Sequence, residues 1–239
     1  MATISSEPWR KVLITGVSKG IGRALALELA SGGHTIIGCS RDQTKLDSLR
    51  EELLRSSPAQ HLLLNVDVTS NDSVEEFAKI VVENKLVPDI IVNNAAIVNR
   101  QGKIWEIDVQ DFDNVIDTNI KGTANILRHF IPLMIHNKQG IIVNMSSDAG
   151  RNPYKLITPY CASKWGVEGL SKSVAKELPE GMTIVALDPG IINTDMLVSC
   201  VGDLASQYQS PRHWASKAAT MILDLTTKDN GASLTIKDP

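Results

Sequence analysis

The stretch Val12–Gly22, VLITGVSKGIG, sets an apolar strand directly before a glycine-rich turn. A helical pattern follows from Ile21 to Ala30. Glycines permit a tight turn and let backbone N–H groups approach a pyrophosphate at the start of that helix. Glycine spacing alone also fits a plain structural turn, but the strand before it and the helix after it favour binding of a dinucleotide.

Outside this turn, short apolar runs alternate with longer helical patterns. The apolar runs are Val12–Thr15, Thr35–Cys39, Leu62–Val66, Ile90–Asn93, Ile141–Met145, Thr183–Leu187 and Ser233–Ile236. The helical patterns are Ile21–Ala30, Gln43–Arg55, Ser73–Val82, Val109–Ile135, Tyr160–Leu178 and Trp214–Thr226. Apolar strands separated by helices indicate a parallel sheet covered on both faces. We therefore predict one α/β domain over residues 1–239, a Rossmann-type doubly wound fold with a seven-stranded parallel sheet flanked by helices.

The composition narrows the class of partner. The net charge is −3, and no basic cluster of the kind that nucleic acid requires is visible. The three cysteines lie far apart without a C-x-x-C pattern, and the five histidines show no metal-ligand spacing, so we expect neither a disulfide framework nor a metal site. Met1–Lys11 has no secretory or transit pattern, and no apolar run reaches membrane-spanning length. We expect a cytosolic protein that binds neither nucleic acid nor membrane.

Further motifs occur in order after the later strands. They are Asp67-Val68, Asn93-Asn94-Ala95-Ala96, Asn119, Ser146-Ser147, Tyr160-Cys161-Ala162-Ser163-Lys164 and Pro189-Gly190-Ile191-Ile192-Asn193-Thr194. With the T-G-x-x-x-G-x-G spacing of Thr15–Gly22, they make nearly the whole chain resemble the short-chain dehydrogenases/reductases. Two departures are Ala96, where the family usually has glycine, and the C-terminal residues Thr235–Pro239, which lack the family's glycine-rich end.

The resemblance implies a nicotinamide dinucleotide cofactor, and the second strand indicates which one. NAD sites place an acidic residue at the end of that strand, whereas here it ends in Ser40-Arg41, with no carboxylate before Asp42. Arg41 can pair with a 2′-phosphate and Lys19 can add a second charge, although both residue types are usually just solvated. We predict NADP(H), held by Gly16, Ser18, Lys19, Gly20, Ile21, Gly22, Ser40, Arg41, Asp67, Val68, Asn93, Ala95, Tyr160, Lys164, Pro189, Gly190, Ile192 and Thr194.

Tyr160 and Lys164 are the candidate catalytic pair. Four residues apart at the start of a helical pattern, they lie on one helix face. A neighbouring ammonium, with the charge of an oxidised nicotinamide, favours tyrosinate and is expected to lower the tyrosine pKa from roughly 10. Ser147 is preferred over Ser146 as the partner that hydrogen-bonds the substrate oxygen, because its interval to Tyr160 matches the family pattern. The resemblance also implies that Asn119 holds a water that relays protons to Lys164.

These residues predict a reductase that converts an aldehyde or ketone to an alcohol with NADPH, with Tyr160 as the proton donor. Substrate contacts are expected in two loops, Gly150–Thr158 and Met196–Arg212, and a flat or aromatic aldehyde such as a pterin aldehyde is a plausible substrate. The candidate contacts are Tyr154, Leu156, Met196, Leu197, Tyr208 and Trp214, which could instead only pack the lid. Two other functions stay open: an NADP-dependent alcohol dehydrogenase working in the oxidative direction, and a catalytically idle, cofactor-binding regulator.

The resemblance also predicts a homodimer or homotetramer. The two longest helical patterns carry extended apolar faces that could meet a second copy of the chain. The contributing residues named by this prediction are Val115, Ile116, Ala162, Val167 and Leu170. The alternative is that these faces cover the sheet of their own subunit.

Overall fold

The structure is a computed structural model that describes residues 9–236. Most of the N-terminal segment Met1–Lys11 and the last residues of the atypical C-terminal end lie outside this range. All seven described strands belong to one sheet in the order β3-β2-β1-β4-β5-β6-β7, with every pair parallel. The strands are β1 Lys11–Thr15, β2 Thr35–Ser40, β3 Leu62–Asn65, β4 Ile90–Asn93, β5 Gly140–Met145, β6 Met182–Asp188 and β7 Ser233–Thr235. The predicted doubly wound α/β fold is confirmed.

Helices cover both faces of the sheet. They are α1 Gly20–Ser31, α2 Gln43–Ser56, α3 Asn71–Glu83, α4 Val109–Ile116, α5 Gly122–Ile135, α6 Thr158–Glu177, α7 Asp195–Val201 and α8 Pro211–Leu223. Successive strand residues point to opposite faces of the sheet, so each strand contributes side chains to two hydrophobic cores, one on each face. One core packs α1, α2 and α8 against residues such as Ile14 and Val185, and the other packs α3, α5 and α6 against residues such as Leu13 and Ile184.

The order of the strands indicates where on the sheet a ligand would bind. β1 pairs with β2 on one side and with β4 on the other, so the connections run in opposite directions away from this point. In open α/β sheets, ligands bind outside the carboxyl ends of the strands at such a switch point. The turn after β1 and the segment after β4 meet at that place.

Three local features differ from the sequence prediction. The predicted helix Val109–Ile135 contains a π-helical turn, Asp117–Lys121, between α4 and α5. Helix α8 begins at Pro211, before the predicted Trp214, because Ser210 caps it and proline is favoured at the first helical position. The short helix α7 lies inside a predicted loop, where Thr194 supplies its N-cap. Apolar periodicity alone did not indicate the π-helical turn, the start of α8 or the short helix α7.

The five predicted interface residues differ in exposure. Val115 and Val167 are 0% and 1% exposed, so they pack inside their own subunit and their part in the oligomer prediction is wrong. Leu170 and Ile116 are partly buried and Ala162 is exposed, so for these three the prediction stays untested. The exposed apolar side chains of this region are Ile104, Trp105, Val109 and Trp165.

Candidate active site

The glycine turn after β1 has the geometry that only glycine adopts readily. Gly16 and Gly20 have φ values of 72° and 58°, in the left-handed region. A Cβ on Gly22 would lie 2.3 Å from Asn94 Nδ2 and 2.5 Å from the Gly16 carbonyl oxygen. The turn therefore brings backbone against backbone, and no larger residue fits at position 22.

Asn94 joins this turn to the end of β4, a role that the sequence analysis did not assign. Its Nδ2 donates to the carbonyl oxygens of Thr15 and Gly16 at 2.8 and 3.2 Å. The Thr15 hydroxyl in turn accepts from the N–H groups of Asn94 and Ala95, both at 2.9 Å. Four hydrogen bonds thus fix the two sides of the switch point relative to each other.

The start of α1 differs from the other helix starts near the crevice. α2, α3 and α4 are each capped by a side chain, from Asp42, Ser70 and Asp108. At α1 no side chain caps the first turn, and that turn holds no acidic residue. Uncapped N–H groups at the positive end of a helix favour an anion.

Beside this helix start lies an open cavity of about 560 Å³, lined by Ser18, Lys19, Ser40, Arg41, Asp42, Gln43 and Lys45. Within residues 9–236, the Arg41 guanidinium has neither a hydrogen-bond nor an ion-pair partner. Lys19 forms an exposed ion pair with Asp195 at 3.0 Å. Lys45 is a third cation that the sequence analysis did not single out.

The one carboxylate of this cavity is already engaged. Asp42 accepts from the Lys45 N–H at 3.1 Å, and its other oxygen lies 3.0 Å from the Lys45 ammonium. These contacts, the backbone one first, lower the pKa of Asp42. The acid next to Arg41 therefore caps α2 and is not free to bind a ribose hydroxyl.

Tyr160 and Lys164 meet on one face of α6, as their spacing predicts. The Lys164 Nζ lies 5.5 Å from the Tyr160 ring centre and donates to the Met145 carbonyl oxygen at 2.7 Å. Lys164 is only 3% exposed, and burial lowers its pKa to about 8, with the charge of Asp188 acting in the opposite direction.

The pKa of Tyr160 moves opposite to the sequence prediction. Burial raises it to about 12, and the hydrogen bond from Ser147 offsets only part of that increase. Removal from water disfavours the phenolate more than the neighbouring protein groups favour it. The protein groups by themselves keep Tyr160 protonated, and only the charge of an oxidised nicotinamide would add to the groups that favour the tyrosinate.

The two candidate serines are separated by their partners. The Ser147 side chain hydrogen-bonds Tyr160, whereas the Ser146 hydroxyl donates to the buried Glu168 carboxylate at 2.7 Å. Glu168 also accepts from Arg151 Nε at 2.9 Å and from the Ser233 hydroxyl. Ser146 thus belongs to a network behind the site, and the geometry favours Ser147.

Asn119 lies in the π-helical turn and is 2% exposed. Its side-chain oxygen accepts from the Ile97 N–H, and its amide donates to the Ile97 carbonyl oxygen and to the Ser163 hydroxyl, all at 2.9 Å. Both amide hydrogens are therefore used by the protein. The Asn119 side chain holds the segment after β4 against α6. A water relay would therefore need the main-chain carbonyl oxygen of Asn119 or the remaining lone pair of its side-chain oxygen.

The other predicted cofactor residues surround the same crevice with unequal access. Asn93 is 5% exposed and donates to Asn144 Oδ1 at 2.8 Å, so a ligand could meet only its main chain. Asp67 Oδ1 accepts two hydrogen bonds, from the Thr69 N–H at 3.0 Å and from the Thr69 hydroxyl at 2.8 Å. Val68 and Ile192 are buried, and Gly190 adopts a φ of 77° after Pro189.

The substrate loops give a mixed outcome. Tyr154 and Tyr208 are 49% and 39% exposed, and the Tyr154 hydroxyl donates to Asp148. Trp214 is 1% exposed and its indole N–H donates to the Pro189 carbonyl oxygen at 3.0 Å. Trp214 therefore packs in the core under the Pro-Gly turn, and its candidacy as a substrate contact is wrong.

The described part of the chain, residues 9–236, lacks two kinds of feature. In that range no group of three or more His, Cys, Asp or Glu side chains could hold a metal ion. None of the helices described there combines the length and apolar character needed to cross a bilayer.

Comparison with known proteins gives consistent matches. The family model for short chain dehydrogenase matches residues 10–204. An NADPH-dependent pterin aldehyde reductase of Arabidopsis thaliana is 66% identical over 95% of this chain and 93% of its own length. A 3-oxoacyl-(acyl-carrier-protein) reductase of Staphylococcus epidermidis is 34% identical over 83% of this chain and 81% of its own. The crystal structure of levodione reductase superposes with a TM-score of 0.86 at 26% identity, covering 95% of this chain and 96% of that one.

Proposed function

The chain belongs to the short-chain dehydrogenase family, and from that premise we propose that it is an NADPH-dependent reductase that converts an aldehyde to an alcohol. The observation that carries the proposal is the joint placement of Ser147, Tyr160 and Lys164. Ser147 lies close enough to the Tyr160 hydroxyl to lower its pKa, and the Lys164 ammonium lies beside the same ring. One acidic hydroxyl flanked by a hydrogen-bond partner and a cation suits protonation of a carbonyl oxygen.

The residues at the switch point fit a phosphorylated dinucleotide. The uncapped start of α1 suits a pyrophosphate, and Arg41, Lys19 and Lys45 line a cavity whose one carboxylate is engaged in capping α2. Cations without a free acid suit a 2′-phosphate and disfavour the ribose hydroxyl of NAD. When bound, the reduced nicotinamide supplies the hydride.

The protein's own groups then handle the proton. Tyr160 donates its hydroxyl proton to the substrate oxygen, and Ser147 hydrogen-bonds that oxygen as negative charge develops. Lys164 holds positive charge beside the phenol, and Asn119 keeps the loop after β4 in place. Because burial raises the pKa of Tyr160 to about 12, the proton-donating form prevails near neutral pH. This favours reduction over the oxidative alternative, which needs the phenolate.

A pterin or another flat aromatic aldehyde is the substrate class we propose. The support is the Arabidopsis relative at 66% identity and the exposed rings of Tyr154 and Tyr208 on the two loops. Consumption of NADPH across a panel of pterin, benzylic and aliphatic aldehydes tests this. Failure of every aldehyde to oxidise NADPH would leave the idle regulator as the better reading. We further propose one domain over the whole chain and a cytosolic location, in keeping with its free cysteines.

Arg41→Ala is expected to weaken NADPH binding by roughly 10- to 100-fold and to leave NADH binding nearly unchanged. The reason is that a charged hydrogen-bond pair is worth about 1.5–3 kcal/mol. Fluorescence titration of both cofactors against wild type measures the effect. The matched control is Arg55→Ala, at the far end of α2. Equal efficiency of NADH and NADPH in the wild type would contradict the assignment.

We also propose a homodimer or homotetramer formed through the outer face of α6 and the segment before α4. Trp105, Val109 and Trp165 are 77%, 75% and 53% exposed, and a Cβ added at Gly169 would meet nothing within 4 Å. Large exposed apolar side chains are typical of an interface when they cluster. Trp165→Lys is expected to shift the sedimentation coefficient toward the monomer, and Leu54→Lys, on α2, is not. A wild type that stays monomeric at all concentrations would rule this out.

A further inference from the structure

Asp188 ends β6 at the same edge of the sheet as the catalytic pair. Along β6, Met182 and Ile184 belong to the core that contains α6, whereas Val185 and Leu187 belong to the opposite core. The two-residue period of a strand therefore directs the Asp188 side chain toward α6. Leu187 is paired in register with Met145, whose carbonyl oxygen binds Lys164 Nζ.

The carboxylate is buried and held in place. Asp188 is 6% exposed, and its Oδ1 accepts from the Gly190 N–H at 3.0 Å. The Asp148 N–H also donates to this carboxylate, and Arg151 attracts it, although burial is the stronger effect and raises the pKa of Asp188. Backbone donors that favour the ionised form make a buried carboxylate tolerable.

The charged and titratable surroundings of Asp188 come from three parts of the fold. Arg151 is largely committed to Glu168, at 2.9 Å, and the negative charge of Asp188 acts on both Lys164 and Tyr160. The titratable and charged groups facing this carboxylate and the pair are Tyr160, Cys161, Lys164 and Glu168 on α6, Asp148, Arg151 and Tyr154 in residues 148–154, and Cys200 on α7.

We propose that Asp188 is a positioning residue that keeps Tyr160 and Lys164 protonated together and so biases the enzyme toward reduction. The inference rests on the proposed reductase function. Burial alone would drive the Lys164 ammonium to its neutral form, and the Asp188 charge opposes this. For Tyr160, burial is the largest effect against the phenolate, which only the oxidative direction needs, and the Asp188 charge acts in the same direction as a smaller contribution.

The direction of the effect is the same for either member of the pair. A nearby negative charge makes loss of a proton harder for an ammonium and for a phenol alike. Replacing Asp188 with a neutral side chain therefore lowers both pKa values, whichever group releases the first proton. The coupled titration of the pair shifts to lower pH as a unit.

Asp188→Asn tests this, because asparagine keeps an acceptor for the Gly190 N–H. In the pH profile of turnover for reduction, the alkaline limb should shift to lower pH. The ratio of wild-type to variant turnover should rise from near 1 at about pH 6 to on the order of 10 at about pH 9. Oxidation of the product alcohol near neutral pH should become faster. The control is Asp148→Asn, which leaves the Asp188 charge in place and should shift neither limb downward.

A second readout needs no turnover. In ¹³C-lysine-labelled protein, the Lys164 resonance is assigned by its loss in Lys164→Arg, and its titration should move to lower pH in Asp188→Asn. If Asp188→Asn does not fold, Asp188→Ser is measured in the same way. An unshifted Lys164 titration, or equal losses in both reaction directions at every pH, would overturn the inference. An unreactive wild type would refute the reductase function, while the resonance would still decide the role of Asp188.

Discussion

Tyr160→Phe should bind NADPH almost normally and lose most of its turnover, by roughly 10²–10⁴-fold. The substitution keeps the ring, so the packing of α6 and the contact with the Lys164 ammonium survive. It removes the hydroxyl that Ser147 hydrogen-bonds, and with it the proton that the substrate oxygen takes. Steady-state kinetics with an aldehyde, together with NADPH fluorescence titration, measures both parts of the expectation.

Tyr154→Phe is the matched control for that experiment. It removes a tyrosine hydroxyl that donates to Asp148 and keeps the exposed ring that we propose for substrate contact, so turnover should fall far less than in Tyr160→Phe. Ser147→Ala should reduce turnover by less than the Tyr160 and Lys164 substitutions together. These groups act on one substrate oxygen, so their effects do not add. If Tyr160→Phe kept more than about a tenth of wild-type turnover, another group would be the acid.

The sequence predicted the fold because its strands are buried on both faces. Runs such as Ile90–Asn93 are fully buried, and a strand of this kind is apolar along its whole length. The placement of Tyr160 beside Lys164 could be predicted for a similar reason, since an interval of four residues places two side chains on one helix face wherever the helix lies. Both arguments depend only on local periodicity.

What the sequence could not predict depends on distance in space. Asn94 is functionally important to the turn because it reaches Thr15 and Gly16, residues 79 and 78 positions away. The sequence left open whether Trp214 contacts a substrate or only packs, because an indole near a loop can point either to a ligand or into the core, and in the structure it lies under Pro189. The sign of the Tyr160 pKa shift depends on burial, which no local pattern reports.

The same reasoning explains why NADP(H) was predicted correctly from incomplete evidence. Arg41 and Lys19 indicated a basic site for the cofactor, and the first carboxylate after them is Asp42. In the structure that carboxylate caps α2 and pairs with Lys45, so the potential ligand for a ribose hydroxyl is occupied. The deciding feature is thus the direction of one side chain.

Lys164→Met is expected to reduce turnover by at least about 10²-fold and, unlike Tyr160→Phe, to weaken NADPH binding as well. Methionine has nearly the length of the lysine stem, so the buried site stays filled while the ammonium is lost. Without it, the Tyr160 proton has no cation beside it, and any ribose hydroxyl that the ammonium binds loses a charged donor worth about 1.5–3 kcal/mol. Lys164→Ala should be at least as damaging, because it adds a cavity.

Stability separates this catalytic effect from a folding defect. The Lys164 ammonium is 3% exposed and costs free energy to bury, so its removal offsets much of the loss of its hydrogen bond to Met145. The unfolding free energy of Lys164→Met should therefore stay within about 1–3 kcal/mol of wild type. Folded proteins are typically stable by about 5–15 kcal/mol, so the variant stays folded and unfolding does not account for the loss of turnover. Lys172→Met, two turns further along α6 and exposed, serves as the control and should alter neither property. Normal NADPH affinity in Lys164→Met, with more than about a tenth of the turnover retained, would mean that the ammonium neither binds the cofactor nor assists Tyr160.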